Sequence, residues 1–209
     1  MRYVADLAAV FLHLGFLIAV CVGSTGDWAS LEGALLIVME VVALVAHVFY
    51  VYMYHHRPSF SDEVNAYKWG EYSISATVGG LAVLASSGDA YPWQVPVLIA
   101  ALGVSEQATG YTIDIEVNPG EKAAIKDRII WAAAAAGQVA EFTVVGTYVG
   151  GTLAYVLYVV FWSLYGAWAL LALNGYPSTL DVRETGYSVL STLAKLSVFI
   201  SSGLALSIP

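Results

Sequence analysis

One lysine, Lys195, lies near the middle of the last long apolar run of the sequence, residues 184–206, about eleven residues from each end. In a membrane-spanning helix with about 1.5 Å rise per residue, that position is near the midplane. An ammonium there costs at least about 2.5 kcal/mol, so the amine must be paired, neutral or covalently modified. A lysine amine condenses with an aldehyde to a Schiff base. The alternative is a structural Lys–Glu pair that ties two helices together. Either use requires a buried anion, and Glu71, in the run 66–87, supplies one. Ser188 and Ser191 lie seven and four residues before Lys195 on the same helical face, and Ser75 follows Glu71 by one turn. Trp131, Trp162 and Tyr165 offer aromatic surface to a long apolar ligand; each singly serves equally as packing or lipid contact. His13, His47, Glu40, Glu106 and Glu141 also fall within apolar runs, and Asp6 opens the first. Intramembrane acids mark proton or ion pathways, unless they are protonated or bonded to neighbouring helices.

These residues need elements to hold them. The 209-residue chain is 59% hydrophobic and 11% charged, with mean hydropathy +0.72. Soluble domains carry about 25% charged residues, so a soluble globular enzyme is excluded and no enzymatic activity is expected. The net charge of −8 excludes a nucleic-acid partner. The lone cysteine, Cys21, excludes a disulfide framework and reads as a small apolar residue. Runs of about 20 apolar residues predict spanning helices. Seven are expected, at residues 3–22, 31–54, 66–87, 92–112, 126–149, 153–173 and 184–206. They are joined by short turn-rich connections, of which 113–125 is the longest. The expectation is an all-α seven-transmembrane-helix bundle forming one domain over residues 1–209, without a cleavable signal peptide. Apart from Lys195, every basic residue (Arg2, Arg57, Lys68, Lys122, Lys126, Arg128 and Arg183) falls at the N-terminus or in or beside the connections 2–3, 4–5 and 6–7. The opposite side holds only acids, such as Asp27, Glu32 and Asp89. The positive-inside rule then places a multi-pass protein in the cell membrane with its N-terminus cytoplasmic.

With these elements in place, the residues resemble the microbial rhodopsins. A mid-helix lysine in the last of seven spans is their arrangement. Trp162-Ser-Leu-Tyr165 is similar to their sixth-helix W-x-x-Y, with Gly166 where a proline is usual, and Arg128-Ile-Ile-Trp131 is similar to the start of their fifth helix. Within that superfamily the heliorhodopsin branch is the nearest resemblance, through Glu71-Tyr-Ser-Ile-Ser75 and Ser191-Thr-Leu-Ala-Lys195. Heliorhodopsins also carry the N-terminus inside. The resemblance implies a light-sensing protein with all-trans retinal on Lys195 and Glu71 as sole counterion. It implies a Schiff-base cavity and proton acceptor at His13, His47, Ser75 and Ser191. The retinal pocket would use Trp131, Gln138, Trp162 and Tyr165. No metal is implied. The acids of the usual pump relay are missing: Ser191 stands four before the lysine and Ala82 eleven after Glu71. A proton rearrangement without classical pumping follows.

Two features depart from the branch. The connection 23–30 is too short for its long β-structured loop, which supports the family's dimer, so a homodimer stays open. Ile200 stands where an aromatic is expected, with Phe199 before it. Glu40, Glu106 and Glu141 support an alternative, a light-gated proton conductor or pump. From another class, a seven-helix small-solute transporter would use Lys195 and these acids as a coupling pair, but it would need inverted repeats that the sequence lacks. Membrane lipid is an expected partner, and an unidentified cytoplasmic signalling protein is a second. Gly146-x-x-x-Gly150 is open as helix packing, an oligomer contact or room for a ligand ring. His55-His56 reads as a solvated helix end.

Overall fold

The computed structural model describes residues 1–23, 30–57, 59–60 and 64–201. Among these there are seven helices and no strand: α1 (Arg2–Gly23), α2 (Leu31–His56), α3 (Ala66–Ala85), α4 (Gln94–Glu116), α5 (Ile125–Val149), α6 (Leu153–Leu173) and α7 (Leu180–Ser201). Side-chain oxygens satisfy the first free amides of three of them. Ser30 Oγ accepts from Gly33 N at 3.1 Å, Asn65 Oδ1 from Lys68 N at 3.3 Å, and Thr152 Oγ1 from Tyr155 N at 3.2 Å. Consecutive helices pack side by side, and α7 closes the ring against α1. α3 is the central element, touching α2, α4, α5, α6 and α7.

The bundle is apolar outside and polar within. Phe11 is 67% exposed, and Val45, Ile129 and Leu153 are similarly open. Meanwhile His13, Glu40, His47, Lys68, Glu71, Asp114, Glu184 and Lys195 are buried. Water would reverse this distribution; lipid tails permit it, because the polar groups can only pair with one another inside. Helices α1, α2, α5 and α6 are each long and apolar enough to cross a membrane. The chain is thus an all-α, seven-helix membrane bundle.

Two boundaries differ from the sequence expectation. α4 continues to Glu116, into the stretch read as a loop, because Asp114 is buried and ion-paired rather than solvated. α7 begins at Leu180, four residues earlier than expected, because Arg183 and Glu184 are buried in its first turns. Lys195 therefore stands fifteen residues after the first residue of α7. The start of α5 and the connection before it are stitched to the end of α6: Ala123 N donates to Leu173 O at 2.9 Å, and Arg128 Nη2 donates to the same oxygen at 3.0 Å. Gly175, at φ +82°, makes the turn there; a Cβ on it would sit 3.1 Å from Gly120 O. The expectations for the connection 24–29 and for the side chains of Cys21 and Ile200 lie outside the described residues.

Candidate functional site

α7 carries Lys195 into the centre of the bundle, where the residue is 0% exposed. Its Nζ donates to Glu71 Oε1 on α3 at 2.6 Å and to Ser191 Oγ one turn earlier at 2.8 Å. The ring of Tyr72 lies 5.3 Å from Nζ. Glu71 Oε2 and Ser75 Oγ are buried and without protein partners. The predicted neighbours Lys195, Glu71 and Ser191 are thus in direct contact, and Ser75 lies a turn beyond Glu71 on the central helix.

A second polar cluster joins α1, α2 and α7. His13 Nδ1 is 2.6 Å from Glu40 Oε2, and the His13 and His47 rings stack at 5.4 Å. His47 Nδ1 is 2.9 Å from Asp6 Oδ1, which also accepts from Ser188 Oγ at 3.1 Å. Tyr54 OH donates to Asp6 Oδ2 at 3.0 Å. Asp6 meets Ser188 on α7, and Phe16 stacks on Phe199 at 5.2 Å, so α1 and α7 run parallel. His13 is seven residues after Asp6 and Lys195 seven after Ser188, which sets both at one level. The Nε2 atoms of both histidines are buried and without protein partners.

An apolar cavity of about 370 Å³ opens on the other side of α3, between α4, α5 and α6. Trp131, Gln138 and Tyr165 line it, as do Ala134, Ala135 and Gly166. Trp131 also packs on Ile113, Val117 and Leu173. Tyr72 links cavity and lysine: its ring is edge-on to Tyr165 at 5.7 Å. Trp162 lies off this cavity, beside Tyr165, and lines a small neighbouring space of about 10 Å³ with Glu106 and Glu141. Tyr158 OH donates to Glu141. The three acids of the expected path thus separate: Glu40 joins the histidines, whereas Glu106 and Glu141 share the space near α4 and α5. Gly146 packs within the chain, since a Cβ there would fall 2.6 Å from Tyr155 OH. His56 Nδ1 donates to Tyr52 O, 2.9 Å away, at the exposed end of α2.

No family model matches the sequence, and no curated protein does so. The structure is similar to the crystal structure of cyanorhodopsin from the cyanobacterium Tolypothrix sp., with a TM-score of 0.68 over 98% of both chains at 10% identity. The fold is that of the microbial rhodopsins. In this rhodopsin fold, the helix that ends the bundle carries Lys195 and the central helix carries Glu71.

Sequence reasoning missed a buried ion network at the α1 N-terminal end of the bundle. Lys68 Nζ donates to Asp114 Oδ2 at 2.6 Å and also to Glu184. Arg2 Nη2 is 3.3 Å from Glu184 Oε2, and Arg183 Nε is 3.2 Å from Asp114 Oδ1. Trp69 Nε1 donates to Asp114 Oδ2 at 3.0 Å, and Arg183 Nη1 donates to Val117 O at 2.6 Å. Five charged side chains from four helices are thereby sealed beneath the surface. Between them and Lys195 stand Trp69, Tyr72, Tyr165 and Tyr187, packed as one aromatic cluster. The available signal was Asp114 and Glu184 bordering apolar runs opposite unmatched basic residues.

Proposed function

We propose that this chain is a retinal-binding, light-sensing membrane protein of heliorhodopsin type. It is not an enzyme, and it is oriented with the N-terminus in the cytoplasm. The observation that carries the reading is the buried Lys195 amine 2.6 Å from the Glu71 carboxylate in a bundle of rhodopsin fold. The residues fit the group. The amine is buried beside an anion, and Tyr72 leads from it towards an aromatic cavity of about 370 Å³, within the range of about 300–1,000 Å³ typical of ligand pockets. When bound to Lys195 as a Schiff base, all-trans retinal supplies visible absorption and a light-driven isomerisation.

This chain's residues do the rest. Glu71 compensates the positive nitrogen, and each stabilises the charged form of the other. Ser191 fixes the nitrogen's direction. With Nδ1 bonded to Glu40, His13 keeps its buried Nε2 without a protein partner at the level of Lys195, the place for a proton to go once the contact with Glu71 is broken. His47, held by Asp6, extends that cluster towards the N-terminal side. Ala82 and Ser191 offer no carboxyl at the positions of a pump relay, so the proton returns by the way it left. Basic residues confined to the N-terminal side of the bundle support the orientation. A second reading, a light-gated proton conductor, is favoured by Glu106 and Glu141 beside one small internal space.

Illuminated vesicles containing the purified protein separate the two. No net proton flux is expected, whereas sustained flux that Glu141→Gln abolishes would favour conduction.

A further inference from the structure

The cavity beside Tyr165 is walled mainly by aromatic and aliphatic side chains, yet Glu106 and Gln107 of α4 and Gln138 of α5 also face it. Gln138 is already engaged, its Nε2 donating to Trp162 O at 3.3 Å. Gln107 is not: the residue is 5% exposed, and its Oε1 is buried without a partner, as is Glu106 Oε1. Leaving such oxygens unbonded in an apolar interior is costly, and a leucine at either position would remove that cost. The two oxygens stand on the α4 side, across α3 from the lysine. A ligand anchored at Lys195 and passing Tyr72 and Tyr165 would bring its far end there. A hydrocarbon ring would leave both acceptors unbonded, whereas a hydroxyl donates its one proton to one of them and accepts from the Gln107 carboxamide.

We propose that the cavity is built for a retinal whose ring carries a hydroxyl group, bound by Gln107 and Glu106. The proposal rests on the retinal reading of Lys195 and adds the chemical class of the chromophore to it. The test is titration of retinal-free protein with all-trans retinal and with all-trans 3-hydroxyretinal. Two readouts are followed: quenching of tryptophan fluorescence, to which Trp131 and Trp69 in the cavity wall contribute, and growth of a visible band. Wild type should bind the hydroxylated aldehyde about tenfold more tightly, the effect of one well-made hydrogen bond to a buried acceptor. In Gln107→Leu and in Glu106→Leu the two affinities should converge. Equal affinities in wild type would overturn the proposal and leave the retinal reading standing; so would a preference that survives in both variants. Failure of both aldehydes to bind would overturn both readings.

Discussion

The amine of Lys195 is held by two contacts of different kind, a charge at 2.6 Å and a hydroxyl at 2.8 Å, and their removal should have separable effects. Glu71→Gln deletes the compensating charge, so the visible band of the retinal-loaded protein should move to longer wavelength. Ser191→Ala should move it far less, because a neutral hydrogen bond contributes about half as much as a charge-assisted one. Absorption spectra of the two variants check this, and equal shifts would mean that Glu71 is not the counterion. At the second cluster, Glu40→Gln replaces the group bonded to His13 Nδ1 and so alters which ring nitrogen carries the proton. Recovery kinetics of the visible band after a flash should change in this variant, while the position of the dark band stays close to wild type. The Lys195–Glu71 pairing was legible in the sequence because a lone cation in an apolar run needs an anion and, of the acids in such runs, Glu71 stands in the motif Glu71-Tyr-Ser-Ile-Ser75. The partners of His13 and His47 were not. Which acid meets which histidine depends on how α1 and α2 are set against each other, and no local pattern encodes that.

The seven helices were legible as apolar runs, and their errors fell at charged ends. Charges at a helix terminus read as solvated by default, so Lys68, Asp114, Arg183 and Glu184 looked like the edges of loops. Only tertiary packing brings these four and Arg2 together, and it lengthens α4 and α7 in doing so. Breaking one side of such a buried network leaves uncompensated charge, at a cost of about 3–5 kcal/mol. Lys68→Met removes the cation that Asp114 and Glu184 share, leaving each with one arginine, and should lower the thermal stability of the detergent-solubilised protein by up to about that amount. A change within about 0.5 kcal/mol would show that the network is hydrated. Gly110 tests the aromatic layer beside it. A Cβ there would come within 2.2 Å of the Trp69 ring, whose Nε1 holds Asp114. Gly110→Ala should therefore cost about 1–3 kcal/mol through overpacking, read from the same melting experiment.

At the scale of the molecule, an apolar exterior surrounds polar clusters that divide the bundle. Glu40, His13, His47 and Asp6 lie along α1 and α2, the Lys195–Glu71 pair joins α3 to α7, and the ion network caps the α1 N-terminal end. Aromatic side chains separate the pair from the cap, so on the proposed reading a proton leaving Lys195 would stay on the histidine side. This division suits a switch that returns its proton better than a relay across the membrane. It also makes the orientation consequential, since the cap would face the cytoplasm. Asp89→Cys in a Cys21→Ala background should label from outside right-side-out cells with an impermeant maleimide, and labelling only after lysis would invert the orientation. The direct measurement is the absorption spectrum of the purified protein, produced with and without all-trans retinal, beside Lys195→Ala. A visible band that needs retinal and vanishes in the variant is the predicted result. A folded wild-type protein with no visible band would make Lys195 a structural or transport charge and contradict the account.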